Sequence, residues 1–138
     1  MPALLLYGDT ERSPAMRHEI PVGIGDALLF AEVDGRKAIL TSWLERDRIA
    51  AVLPDAELLD FIDLGMRALV EEGMSRLGAE REVVLRAVTQ LGIGDAVIPG
   101  DFPVAIADRL RADGIALTID DDLVAARRRV KAGAELEG

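Results

Sequence analysis

Cysteine is absent from the 138 residues of this chain. That removes disulfides, thiolate metal sites and cysteine nucleophiles together. Histidine occurs once, at His18, so a two-histidine metal site is impossible and a Ser-His-Asp arrangement has nothing to support it. Aromatic residues make up only 4%, too few to line a stacking platform for bases or sugars. Positive charge is in deficit: 16 Lys and Arg face 25 Asp and Glu, for a net charge of −9 and a pI near 4.6. Most of such a surface repels a phosphate backbone or an anionic membrane, which argues against both as partners. No stretch approaches the ~20 apolar residues of a membrane helix. The opening Met1-Pro2-Ala3-Leu4-Leu5-Leu6-Tyr7-Gly8 has no basic segment, and its apolar run is too short for a secretory signal. These absences together point to a cytoplasmic protein.

What is present is material for one core. Half the residues are hydrophobic, and the length is that of a single domain. Residues 3–7 read as a buried first strand. Residues 10–21 are polar, contain Pro14 and Pro21, and read as a loop. Residues 27–33 and 37–41 read as strands joined at Asp34-Gly35, a strong hairpin signal. Ser42 and Glu45 have capping-box spacing, for a helix that turns Leu44, Ile49, Val52 and Leu53 inward and stops before Pro54. Residues 58–62 form another strand. Asp63 then caps a helix over 64–72, and a stronger helix over 79–91 carries Val83, Val84, Ala87, Val88 and Leu91 on one side. A short strand at 96–98 ends at Pro99. Asp101 caps a helix with Pro103 in its first turn and Val104, Ile106, Ala107 and Leu110 inward. The last strand is 115–119, and Asp120-Asp121-Asp122 opens the last helix, which Arg127, Arg128, Arg129 and Lys131 close. A hairpin followed by strand–helix alternation predicts an α/β fold: a mixed sheet with helices on both faces. Gly-Ile-Gly-Asp-Ala occurs at 23–27 and 92–96, each time as a turn into a strand.

Sites of chemistry are few. Neither Gly-Ile-Gly-Asp precedes a helix or has a third glycine, so neither cradles a phosphate. Three consecutive aspartates point in different directions, which suits a helix cap better than a divalent cation. His18, with Arg12 and Arg17 nearby, makes a small cationic stretch in an acidic protein. His18 is either an exposed or locally paired loop histidine or part of a carboxylate-holding group. Trp43, the one tryptophan, either packs at the sheet edge or contacts another chain. Arg127 to Lys131 is either a solvated helix end or a docking patch, and the first is the simpler reading.

The order of motifs resembles a family. Leu5-Leu6-Tyr7-Gly8-Asp9, Arg17-His18-Glu19-Ile20-Pro21 and the Asp34-Gly35 hairpin are similar to the start of bacterial Xaa-Pro aminopeptidases. Ile98-Pro99-Gly100-Asp101-Phe102-Pro103, Ala107-Asp108-Arg109-Leu110-Arg111 and Gly114-Ile115 resemble the closing half of their N-terminal domain. Arg128-Arg129-Val130-Lys131 to Glu135-Leu136 resembles the junction into the catalytic domain. The resemblance implies a creatinase/prolidase-type N-terminal domain with a ribonuclease H-like layout over residues 1–131, and the start of a linker over 132–138. It implies a pita-bread catalytic domain beyond this chain, where two Asp, one His and two Glu hold two divalent metal ions, for example manganese or cobalt, that activate a water. None of those ligands matches a position here, so no catalytic or metal residue and no cofactor is assigned to this chain. The implied partners are its own catalytic domain and further copies in a homodimer or larger oligomer. The implied role is oligomerisation and partial covering of an active site, with Arg12, Arg17, His18 and Trp43 as substrate-proximal or interface candidates. The alternative is a free-standing α/β small-molecule-binding or regulatory module.

Overall fold

The computed structural model describes residues 2–137, with side chains through residue 129. Six strands form one sheet: β1 (Ala3–Gly8), β2 (Leu28–Val33), β3 (Arg36–Thr41), β4 (Glu57–Asp60), β5 (Asp95–Ile98) and β6 (Ala116–Ile119), in the order β4-β3-β2-β1-β5-β6. The turn between β2 and β3 places Asp34 at φ +52° and Gly35 at φ +79°. Both central residues of a type I′ turn need positive φ, which is why Asp-Gly forms it. The turn fixes the register Val33↔Arg36 and Leu29↔Leu40, and Leu29 and Ala31 thereby join one core layer. β2 is antiparallel to both neighbours, whereas β1–β5, β5–β6 and β3–β4 are parallel. The mixed sheet expected from the sequence is therefore present, with five strands running one way and β2 alone reversed.

Helices cover both faces. α3 (Met66–Glu71), α4 (Arg76–Gln90) and α5 (Val104–Ala112) lie over the layer containing Leu5, Leu29, Leu40, Val83 and Leu110. α1 (Pro14–Glu19), α2 (Arg46–Val52) and α6 (Asp121–Glu137) lie over Leu6, Phe30, Ile39, Ile49 and Val124. Alternation along each strand supplies the two layers: Leu5 and Leu4 or Leu6 sit in different clusters. Both Gly-Ile-Gly-Asp-Ala turns lead into strands, β2 and β5.

Several local expectations need correction. The segment 10–21 contains helix α1. Pro14 occupies its first turn, where the missing N–H costs nothing, and Ser13 caps it by accepting from Met16 N at 3.2 Å. Ser42 makes no side-chain capping bond: the Glu45 N–H donates to the Ser42 carbonyl at 3.1 Å instead, and the Glu45 carboxylate pairs with Arg48 at 2.8 Å. A 3-10 turn (Trp43–Glu45) precedes α2, and of the four residues expected inward only Ile49 is fully buried. Leu44 stands 70% exposed. Asp63 does not cap α3. Gly65 occupies that position at φ +100°, while Asp60 Oδ1 takes the N–H groups of Ile62 and Asp63. Pro103, not Asp101, is the N-cap of α5, and Val104 faces outward at 73% exposure. The capping role of the aspartate run holds at Asp120, whose Oδ1 accepts from Leu123 N, while Asp121 Oδ1 accepts from Gly100 N in the loop after β5. The basic run does not close α6, which continues to Glu137 with no basic residue in its last turn. The Lys131, Glu135 and Leu136 side chains lie outside the described residues.

Candidate functional site

The strand directions collect five strand ends on one edge of the sheet. β1 ends at Gly8, β3 at Thr41, β4 at Asp60, β5 at Ile98 and β6 at Ile119, and all of them point the same way. The loops after parallel strand ends are where α/β sheets place ligand contacts. Register shows how close the ends are. Gly8 pairs with Leu28, and Leu40 pairs with Leu29, so the chain leaves β1 and β3 at one level, two strands apart. α1, with Arg17 and His18, and Trp43 therefore occupy the same end of the molecule.

Their side chains do not form one group. α1 lies on the α2/α6 face, and none of Arg12, Arg17 and His18 lines the cleft beside Trp43. Arg12 is engaged by Asp9, with Nε 3.3 Å from Oδ1 and its backbone N–H donating to Oδ2 at 3.0 Å. Burial pushes the Asp9 carboxyl up, but the Arg12 and Asp9 backbone N–H groups and the Arg12 guanidinium bring it below its ordinary value. Arg17 lies over the loop that follows α1: a Cβ added at Gly23 would stand 3.4 Å from its Nη1. Thr10 anchors that loop by exchanging hydrogen bonds with Ile24, and Arg48 Nη2 donates to Gly23 O at 2.6 Å. Arg48, absent from the sequence candidates, thus joins Arg17 at Gly23. His18 is partly buried on α1.

Trp43 is 63% exposed, so it does not pack into the sheet edge. It stands between two hollows. One, on the α2 side, has Arg46, Asp47, Ala50 and Leu58 around it. The other is an open cleft of about 430 Å³ on the α3/α4 side, lined by Asp26, Ser42, Trp43, Phe61, Met66 and Glu80, with Ala27, Ile62 and Arg76 completing it. The charged side chains of this cleft are Asp26, Glu80 and Arg76, not the candidates Arg12 and Arg17. Burial raises the Glu80 carboxyl above its ordinary value. The same sheet edge concentrates unpaired polarity: Tyr7 Oη, Thr41 Oγ1 and Asp60 Oδ2 are buried without a hydrogen-bond partner among the described residues.

Among the described residues no group of three or more His, Asp or Glu side chains is placed to hold a metal ion. Among the described residues the donor sets do not fit a two-metal hydrolytic centre. No described helix is long and apolar enough to cross a membrane.

No protein-family model matches the chain, and no curated protein matches it by sequence. Solved structures do match. An Xaa-Pro dipeptidase from Bacillus anthracis aligns at a TM-score of 0.58 with 14% identity, over 88% of this chain and 29% of that one. The prolidase from Pyrococcus horikoshii OT3 aligns at 0.57 with 13% identity, over 90% and 29%. An Xaa-Pro aminopeptidase from Streptococcus pyogenes aligns at 0.52 with 14% identity, over 86% and 78%. The chain spans under a third of the length of the first and second of these. It has the fold of part of these peptidases, the fold that its motif order resembled.

Proposed function

We propose that this chain is a non-catalytic accessory domain of a proline-specific metallopeptidase. In this reading it assembles the enzyme into dimers or larger oligomers and partly covers an active site, so that short peptides are admitted. One observation carries the reading: nearly the whole chain aligns with a minor part of two Xaa-Pro peptidases, leaving most of each of those chains for other work. The exposed Trp43 beside the strand ends supports a covering role, since an unpacked indole is the residue type most enriched at interface hot spots. Arg17, exposed on α1, supplies a cation for a peptide carboxylate. The two divalent metal ions, manganese or cobalt, belong in this reading to the catalytic domain, as do their ligands. That domain and a second copy are the partners, and the cytoplasm is the location.

The test uses the full-length enzyme with Arg17 and His18 replaced by alanine, and separately with Trp43→Ala. The reading expects kcat/KM for Xaa-Pro peptides to fall at least tenfold, or the sedimenting species to become smaller. Unchanged kinetics together with unchanged assembly in both variants would make this edge an ordinary surface and remove the proposed role. A complete native protein that ends with this domain would instead favour the free-standing binding module.

A further inference from the structure

The cleft beside Trp43 is built from five separate stretches of chain. Asp26 and Ala27 precede β2, Ser42 and Trp43 follow β3, and Phe61 and Ile62 follow β4. Met66 opens α3, and Arg76 and Glu80 lie on the first turns of α4. Its volume of about 430 Å³ falls in the range of small-molecule sites, roughly 300–1,000 Å³. The wall is apolar and aromatic: the exposed indole of Trp43, the ring of Phe61, and the side chains of Ile62 and Met66. The polar residues of the lining are Asp26, Ser42, Arg76 and Glu80, with Arg76 one helical turn from Glu80. Asp26, Arg76 and Glu80 make no ion pair among the described residues.

We propose that this cleft binds an ammonium group carried on an apolar body. Three features lead there. A half-buried carboxylate without a counter-cation gains most from an incoming positive charge, and Glu80 is that group. An indole face attracts a cation as well as an apolar surface, so Trp43 favours both halves of such a ligand. The apolar residues Phe61, Ile62 and Met66 offer a surface for the body while the acids hold the charge. Arg76 repels a bare cation but accommodates a ligand that carries a carboxylate as well. Burial, with no cation offsetting it, raises the Glu80 carboxyl, so binding weakens as pH falls through the Glu80 titration, and Asp26 and Arg76 are the other charged groups facing it. The proposal shares Trp43 with the peptidase reading but does not rest on it: amine binding at Glu80 is read separately from peptidase kinetics and assembly.

The chain contains one tryptophan, so its fluorescence reports on the cleft directly. Phenethylamine titrated into the protein at neutral pH is expected to change Trp43 emission saturably, and 2-phenylethanol, its neutral counterpart, is expected to bind at least tenfold more weakly. Glu80→Gln, at a partly exposed helix position, should weaken phenethylamine at least tenfold while the melting curve stays that of the parent. Trp43→Phe, followed by calorimetry, should retain binding in weakened form. A peptide amide with a free apolar N-terminal residue, compared with its acetylated form, separates the two sources of this chemistry: binding of the free form only, beyond that of phenethylamine, assigns the site to peptide N-termini, and equal or weaker binding assigns it to free amines. Equal affinity for the amine and the alcohol, no saturable binding of the amine, or unchanged amine binding by a folded Glu80→Gln variant would overturn the proposal.

Discussion

Arg127 is the residue whose removal should cost the fold most relative to its surface position. Its Nε donates to Glu19 Oε1 at 2.8 Å, its Nη1 to Glu32 Oε2 at 2.8 Å, and its Nη2 to Glu32 Oε1 at 3.4 Å. One guanidinium thus ties α6 to α1 and to β2, across 108 and 95 residues of sequence. The Glu19 side chain is only 6% exposed. Arg127→Ala leaves that carboxylate buried beside Glu32 with no cation. Removing one partner of a fully buried pair costs about 3–5 kcal/mol. Arg127 and Glu32 retain about a quarter of their exposure, so solvent screening reduces the expected loss to roughly 2–3 kcal/mol. For a domain of this size that corresponds to a fall in Tm of roughly 10 °C. The Arg127 pKa is raised, first by the Glu19 hydrogen bond against the opposing effect of burial, then by Glu32. A cation with a raised folded pKa stabilises at all lower pH and loses that contribution only as pH rises through the raised value, which for Arg127 lies in strong alkali. The Arg127 contribution should therefore be constant across neutral pH. Replacing Arg127, Glu19 and Glu32 together by Met, Gln and Gln should recover much of the loss, because no bare charge remains. Thermal melting followed by circular dichroism measures both. An Arg127→Ala melt within 2 °C of the parent would refute the clasp.

Two further predictions concern local geometry and pH. Gly65 stands at φ +100° and a Cβ there would collide with the Arg86 guanidinium, which donates to Leu64 O at 2.7 Å; Gly65→Ala should therefore lose roughly 1–2 kcal/mol in a melt, whereas Gly94→Ala, where an added Cβ meets nothing within 4 Å, should lose much less, and equal losses would contradict the argument. Arg109 holds Glu82 through bonds of 2.6 and 3.2 Å that join α5 to α4, and this hydrogen bond is the first cause of the lowered Glu82 pKa. A lowered carboxyl pKa gives stability that is present above the unfolded value and lost as pH falls through the folded one. Arg109→Ala should flatten that acid-side decline, and an unchanged stability–pH profile below pH ~5 would count against the pairing.

The fold was legible where one local signal decides the geometry. Asp34-Gly35 fixes a primed turn, and the strand–helix alternation after it fixes the parallel half of the sheet. The segment around Pro14 was not legible, because proline marks both a broken turn and a helix start; Ser13, placed to accept from Met16 N, was the available sign of the second. Leu44 and Val104 were expected inward but stand exposed: the first lies in a 3-10 turn ahead of α2, out of step with the helix periodicity, and the second is the first residue of α5. Of the candidate site, the sequence supplied Trp43 and the Arg17–His18 stretch, and strand direction puts both at one end. It did not supply the company each keeps. Asp26, Phe61 and Glu80 reach Trp43 only through folding of separate segments, and Arg127 meets Glu19 only when α6 closes over α1. No spacing rule encodes either meeting.

In the proposed role this domain serves a peptidase whose chemistry lies elsewhere in the protein. The most direct test of that role is metal-dependent hydrolysis of an Xaa-Pro dipeptide, measured with manganese on the product of the complete native gene and on residues 1–138 in parallel. The account predicts cleavage by the complete product and none by residues 1–138. Cleavage by residues 1–138 alone, or no cleavage of any Xaa-Pro peptide by the folded complete product, would contradict it.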